Sequence, residues 1–298
     1  MSFKKVLKII FVSVLALAAV LALLIPYLIN MMINRPRLAQ PKQLEDNDYT
    51  EFSARNENGH KIFALFYKGR PENAVVILCH GHGVTHAYLN DMVGFLRKAG
   101  LGIILFDFRA HGKSEGKLCS IGLHEWNDIK QVIIAAKEKG FIDESTDLVA
   151  YGRSMGAASL INGSTQLQEI KAFILESSFE RLKNIAARDA WHKLRMPNTF
   201  FNDLVFAAVD FVTSTEFSKN NPEETIAGIA TRPAMLIHDE LDHRANQEAF
   251  EALKKRLPSA ETMVVKNARH VQAHKVSEEM FERRFLEFLT KSGVKWSN

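Results

Sequence analysis

The ten residues "VAYGRSMGAA" (149–158) decide how the rest of the chain is read. They follow Leu148 and open apolar and β-prone, with Val149, Ala150 and Tyr151. Gly152, Ser154 and Gly156 then stand at alternate positions, and the small residues Ala157 and Ala158 come after them. Such a run predicts strand, tight turn and helix. The Gly-x-Ser-x-Gly pattern is weak by itself. Its context supplies the meaning, because a nucleophile elbow needs its serine on a sharp strand-to-helix turn. The two glycines then have a reason: the turn is too crowded for side chains. Ser154 is expected in a strained backbone conformation, with its hydroxyl exposed at a helix N-terminus. The plainer alternative for Ser154 is a helix N-cap.

Outward from this stretch, short apolar runs alternate with segments of helical spacing. Residues 74–80, 101–109, 147–152, 171–178, 234–240 and 261–267 read as strands. Residues 87–100, 124–140, 245–257 and 274–291 read as helices. Alternation of this kind predicts a parallel sheet covered on both faces. "YTEFSAR" and "HKIFALFY" flank "NENG", a hairpin signal that puts antiparallel strands on one edge. Residues 179–230 interrupt the rhythm, with far more chain than a crossover needs. They carry Phe179, Trp191, Phe200, Phe201, Phe206, Phe211 and Phe217, and read as an inserted helical lid.

A serine hydroxyl needs a base, an acid to orient the base, and donors for an oxyanion. The expected order after the elbow is acid, then histidine. "AMLIHDELDHRAN" brings Asp239, Glu240 and Asp242 to the carboxyl end of a strand, and "ETMVVKNARHVQAH" brings His270 and His274 to the end of the last one. Catalytic groups of open α/β sheets collect at these ends. "HGHG" (80–83) directly follows another strand. Its glycines let backbone N–H groups approach a substrate oxygen, so the expected oxyanion donors are the N–H groups of Met155 and His82. As imidazoles, His80 and His82 read as a polar turn closing a strand.

The N-terminus differs from the rest. Residues 9–34 hold no charge, and the 21 residues from Ile9 to Ile29 would span about 31 Å as a helix, close to a bilayer core. A cleaved signal peptide usually has a shorter apolar region, and the Ala16-x-Ala18 pattern falls in the middle of the run. The expectation is an uncleaved single-pass anchor over residues 1–34, a polar linker over 35–48 and a catalytic domain over 49–298. The chain's net charge is +4, but residues 1–42 supply six Lys or Arg and no acid, which leaves a net −2 for the remainder. The basic balance belongs to the membrane flanks and does not favour a nucleic-acid partner. Lys4, Lys5 and Lys8 precede the apolar run; Arg35, Arg37 and Lys42 follow it. The short tail and single span suggest a signal anchor, with the catalytic domain outside the cytoplasm. Cys79 and Cys119 are too few for a disulfide scaffold, and no Cys/His metal spacing appears.

Taken together, "HGHG", "FDFRAHGKSEG" (106–116), "YGRSMG", "LIHDELD" and "NARH" resemble the α/β-hydrolase superfamily, within the serine-hydrolase group that holds the serine aminopeptidase-like proteins. The resemblance runs over about residues 50–291. It implies Ser154 as nucleophile, His270 rather than His274 as base, and Asp242 rather than Asp239 as acid. Two departures stand out. Ala110 occupies a glycine position of D-x-R-G-x-G-x-S, and Asp239 replaces the glycine of G-x-x-D. The implied activity is hydrolysis of a carboxylic ester or thioester carried by a small acyl substrate, with no cofactor or metal. A peptidase would need acidic groups to receive an amine, for which Glu176, Glu180 and Asp189 are the available residues. A non-catalytic binding protein on the same fold is the third reading.

Overall fold

Strand β3 (Val75–Cys79) has no polar residue, and both of its faces are buried. Val75, Ile77 and Cys79 enter one apolar cluster, while Val76 and Leu78 enter a second cluster on the opposite side. β4 (Gly102–Phe106) divides the same way, with Ile104 and Phe106 on one side and Ile103 and Leu105 on the other. A sheet covered on both faces is what uninterrupted apolar strands require.

These elements come from a computed structural model describing residues 2–33, 48–195 and 200–297. In chain order, helix α1 (Phe3–Ile33) precedes the hairpin β1 (Thr50–Arg55) and β2 (Lys61–Tyr67), then β3. After them come α2 (Asn90–Lys98), β4, α3 (Trp126–Glu138), β5 (Leu148–Arg153), α4 (Met155–Asn162) and β6 (Ile170–Glu176). Helices α5 (Leu182–Leu194), α6 (Phe200–Thr213) and α7 (Pro222–Thr225) lead to β7 (Ala234–Asp239). The chain closes with α8 (Gln247–Arg256), β8 (Glu261–Val265), α9 (Ala273–Val276) and α10 (Glu278–Lys291).

The eight strands lie in the order β1-β2-β4-β3-β5-β6-β7-β8. β1 pairs antiparallel with β2, and β2 with β4; the remaining pairs are parallel. The expected antiparallel edge and parallel body are both present. From β3 the chain crosses to β4 on one side, and later returns to place β5 on the other. The loops leaving β3 and β5 therefore diverge at a topological switch point, where open α/β sheets bind their ligands.

Between β6 and β7 most of the described residues are helical. Phe179, Leu182, Ile185, Val209 and Phe217 form a small core of their own, closed against Ala158 of α4. Trp191 and Phe211 are instead largely exposed, and α1 packs against α6. The side chains of Phe200 and Phe201 lie outside the described residues, as do 35–47 of the expected linker, including Arg35, Arg37 and Lys42. Helix α1 begins before the uncharged run and takes in Lys4, Lys5 and Lys8. Its stretch Phe3–Leu24 has mean hydropathy 2.8 and is long and apolar enough to cross a membrane.

Candidate active site

Ser154 has φ 53° and ψ −113°, a conformation costing a non-glycine residue about 1–3 kcal/mol. Its surroundings impose it. Ser154 N–H donates to Glu176 O (2.9 Å), and Ala158 N–H donates to Ser154 O (3.0 Å). Neither flanking glycine has room for a side chain. A Cβ on Gly156 would stand 2.1 Å from Cys79 O, and one on Gly152 would stand 2.6 Å from Ala157 N. The crossing of α4 over the end of β3 thus dictates Gly156, and the first turn of α4 folding back over the end of β5 dictates Gly152. No side-chain cap is made by Ser154, so its hydroxyl is available for something other than capping.

That hydroxyl faces His270. Ser154 Oγ lies 2.9 Å from His270 Nε2, and His270 Nδ1 lies 2.6 Å from Asp242 Oδ2. Asp242 Oδ1 accepts the N–H groups of Arg244 (2.8 Å) and Ala245 (3.1 Å). Burial pushes this carboxyl's pKa up, but the hydrogen bond and charge of His270, with the Arg244 N–H, outweigh it and hold the group below the usual carboxylate range. Asp242 is therefore an anion at neutral pH, aimed at the imidazole. The loop after β7 and the loop after β8 are laced together: Glu240 N–H donates to Val265 O, Leu241 N–H to Ala268 O, and Asn267 N–H to Glu240 Oε2. This lacing carries His270 to its place.

The rival residues lie elsewhere. His274 sits between Asp91 (3.4 Å) and Glu282 (3.2 Å). Burial lowers its pKa, but the bonds to Asp91 and Glu282 outweigh this and raise it overall. Asp239 is buried and its Oδ2 accepts from Ser177 Oγ, 2.7 Å away, rather than from a histidine.

Met155 begins α4, so its N–H belongs to the first turn and has no partner within the helix. The "HGHG" loop packs against the elbow: a Cβ on Gly81 would lie 3.6 Å from Ser154 Cβ. Gly83 N–H donates to His111 Nε2 (2.9 Å), and His111 Nδ1 meets Arg109 O (2.8 Å). His80 accepts Phe108 N–H at Nε2 (3.0 Å) and meets Gly81 O through Nδ1 (2.7 Å). Burial, then the neighbouring His111, depresses the His80 pKa to about 3. His80 and His111 thus use both ring nitrogens as neutral struts that shape the loop holding His82.

The second residue of the elbow was not singled out from sequence. Arg153 is buried, with Nε 2.6 Å from Tyr151 Oη and 3.2 Å from Glu176, and its two terminal nitrogens on Asp91 (2.7 and 3.1 Å). It ties β5, β6 and α2 together beneath the serine. Its acidic partners, Glu176 and Asp91, are 23 and 62 residues away, so the sequence around it does not show its role.

The acids considered for an amine site are all engaged. Glu176 is fully buried against Tyr151 and Arg153, Glu180 holds Arg188 and Asn184, and Asp189 pairs with Arg244. Cys79 and Cys119 are free and buried. His82, His111 and Cys119 could bring ligand atoms within 4.8 Å of one another. A metal there would have to displace Gly83 N–H from His111, and the Cys119 thiol, raised in pKa by burial, lies against Met155 Sδ at 3.4 Å. The set suits packing better than ligation.

An eight-stranded, mostly parallel sheet with a strained serine between β5 and α4 defines an α/β hydrolase. The chain belongs to the family described as serine aminopeptidase, S33, whose model matches residues 70–275. It is 24% identical over 254 residues to the protein YqkD of Bacillus subtilis, covering 83% of this chain and 81% of that one. It is 25% identical over 179 residues to YfhR of Escherichia coli, covering 59% of this chain and only 55% of that protein. Among solved structures it resembles the Pyrococcus furiosus esterase Pf2001, with TM-score 0.70, 27% identity, and coverage of 86% of this chain and 98% of that one.

Proposed function

We propose that this chain is a membrane-anchored serine hydrolase that cleaves a carboxylic ester or thioester through an acyl-enzyme on Ser154. The observation that carries the reading is the hydrogen-bonded line from Ser154 Oγ through His270 to buried Asp242. Its likeness to an esterase over most of both chains supports the choice of bond. Ser154 Oγ attacks the acyl carbonyl while His270 Nε2 takes its proton. The carbonyl oxygen becomes an oxyanion, received by the N–H groups of Met155 and His82. Asp242 orients His270 and stabilises the imidazolium. Collapse of the intermediate breaks the bond to the alcohol or thiol, and His270 returns the proton to that leaving group. Water, deprotonated by His270, then attacks the acyl-Ser154 ester and releases the acid.

The apolar stretch Phe3–Leu24 serves as the anchor, and the helices between β6 and β7 serve as the lid. The aminopeptidase reading is weaker, because Glu176, Glu180 and Asp189 already hold cationic or phenolic partners within the protein. A fluorophosphonate probe, followed by panels of p-nitrophenyl esters, acyl thioesters and amino-acid amides, tests the proposal on the full chain. Labelling with ester or thioester turnover is expected. Turnover of amides alone would replace it with the peptidase reading, and an unlabelled, inactive protein would leave the binding-protein reading.

A further inference from the structure

Helix α6 is apolar on two opposite sides. Val205, Phe206 and Val209 pack into the small core that also holds Phe179, Leu182 and Phe217. Leu204, Ala207, Ala208 and Phe211 recur at helical spacing on the other side. Ala207 is exposed there, and Phe211 is 87% exposed, with Val212 beside it at 57%. The two acids of the helix flank this side rather than stand on it. Asp203 pairs with Lys183 of α5 at 2.9 Å, and Asp210 accepts Ser218 N–H at 3.3 Å. A helix whose outer face meets water is polar there; one that is apolar all round has something apolar over it.

Helix α1 indicates what lies over it. α1 packs against α6. Residues 7–20 of α1 are exposed on every side, and beyond Val6 its partly buried residues are Leu21 and Leu24. Those two end the stretch Phe3–Leu24, which is long and apolar enough to span a bilayer. With α1 in a bilayer, its bare side chains meet lipid, and the bare side of the helix packed on it extends the same apolar surface. A bilayer already fits one part of that surface, and so it is the partner that fits the rest.

We propose that the outward side of α6 docks on the bilayer that α1 spans, so that the ester cleaved at Ser154 is that of a membrane-resident lipid with a long acyl chain. This rests on reading α1 as the anchor and Ser154 as the nucleophile.

The dimensions agree. The inner residues of α6 share their core with Ala158 of α4, one helical turn beyond Ser154. Packed helices stand about 8–10 Å apart, so the elbow helix is one helix layer from the docked side. A helix lying at a membrane surface sinks its apolar face about 5–10 Å into the boundary between headgroups and acyl chains. The ester groups of membrane lipids lie at that boundary. A lipid leaving the bilayer beside α6 therefore has only that layer to pass, and its acyl chain travels along apolar side chains instead of through water.

The test uses the full chain in phosphatidylcholine proteoliposomes. Cys79 and Cys119 are buried, so a thiol-reactive fluorophore reports on Ala207→Cys alone. Lipids carrying a spin label near the headgroup should quench it more than lipids labelled deep in the chain. The same fluorophore on Glu144→Cys, in the exposed loop before β5 at the far edge of the sheet, should stay unquenched. Ala207→Glu should lower turnover of p-nitrophenyl palmitate held in the vesicles, relative to p-nitrophenyl butyrate in solution, by about tenfold or more. An unquenched fluorophore on Ala207→Cys overturns the proposal, and a disulfide-linked dimer of that variant would then give the face to a second copy of the chain. A turnover ratio unmoved by Ala207→Glu overturns it as well. Failure of the readings beneath it looks different. Turnover persisting in Ser154→Ala would remove the nucleophile while the fluorophore still reports docking, and release of the chain by alkali would remove the anchor.

Discussion

His270 Nε2 lies 2.9 Å from Ser154 Oγ, although 116 residues separate the two in the chain. The contact joins the loop after β8 to the turn after β5, and β6 and β7 lie between those strands in the sheet. Ser154→Ala should therefore abolish fluorophosphonate labelling and lower kcat by at least about a thousandfold. Its melting temperature should stay close to wild type, since the hydroxyl caps no helix. Labelling that survives the substitution would remove Ser154 as nucleophile.

His270→Ala should cost about as much in kcat as loss of the serine, because triad members act as a unit. His274→Ala should leave kcat within about tenfold, since its partners are Asp91 and Glu282. Its effect belongs to stability. The His274 pKa is raised in the folded state, so its contribution is full at low pH and fades as pH rises through the folded value. Urea melts should show His274→Ala destabilising more near pH 6 than near pH 9. A kcat loss equal to that of His270→Ala would reverse the roles of the two histidines.

Two backbone positions should respond in opposite directions. Gly156→Ala would push a Cβ to 2.1 Å from Cys79 O, against backbone that cannot yield, and should cost more than about 3 kcal/mol or prevent folding. Ala110 has φ 60°, where glycine is unstrained, so Ala110→Gly should be neutral or stabilise by up to about 1 kcal/mol. Denaturant melts of the two variants measure both. A tolerated Gly156→Ala would mean that the elbow is looser than its contacts indicate.

Aromatic residues between β6 and β7 should separate by burial. Phe179 and Phe217 fill the small core over α4, so each change to Ala should cost about 3–5 kcal/mol. Trp191 and Phe211 are exposed, and their replacement should shift acyl chain-length preference more than turnover of acetyl esters. Rates on a series of p-nitrophenyl esters, beside melting curves, distinguish the two. A uniform fall on every ester in Trp191→Ala would take that residue out of substrate choice.

The anchor makes its own prediction. The full chain should stay with membranes through salt and alkaline washes. A phosphatase fused after Asn298 should be active and a fluorescent protein fused there dark, as expected for a catalytic domain outside the cytoplasm. A bright fusion with no phosphatase activity would invert the orientation, and release by alkali would remove the anchor.

The elbow was legible in "VAYGRSMGAA" because its causes are local. Apolar residues commit to a strand, and two glycines answer a steric demand within five positions. The sheet was legible for a similar reason: buried parallel strands must be apolar on both faces, and β3 and β4 are. The apolar N-terminal helix needed only length and composition. Which acid meets the histidine was not decided this way, since Asp239 and Asp242 stand three residues apart at the end of one strand. The turn after β7 carries Asp242 to His270 and leaves Asp239 on Ser177. Arg153 and Glu176, and the neutral struts His80 and His111, are equally silent in the sequence. Their roles are set by burial and by partners from other strands and loops, and only the closed tertiary structure supplies those. A hydrogen bond or a desolvated charge depends on distance through space, whereas the sequence orders residues only along the chain.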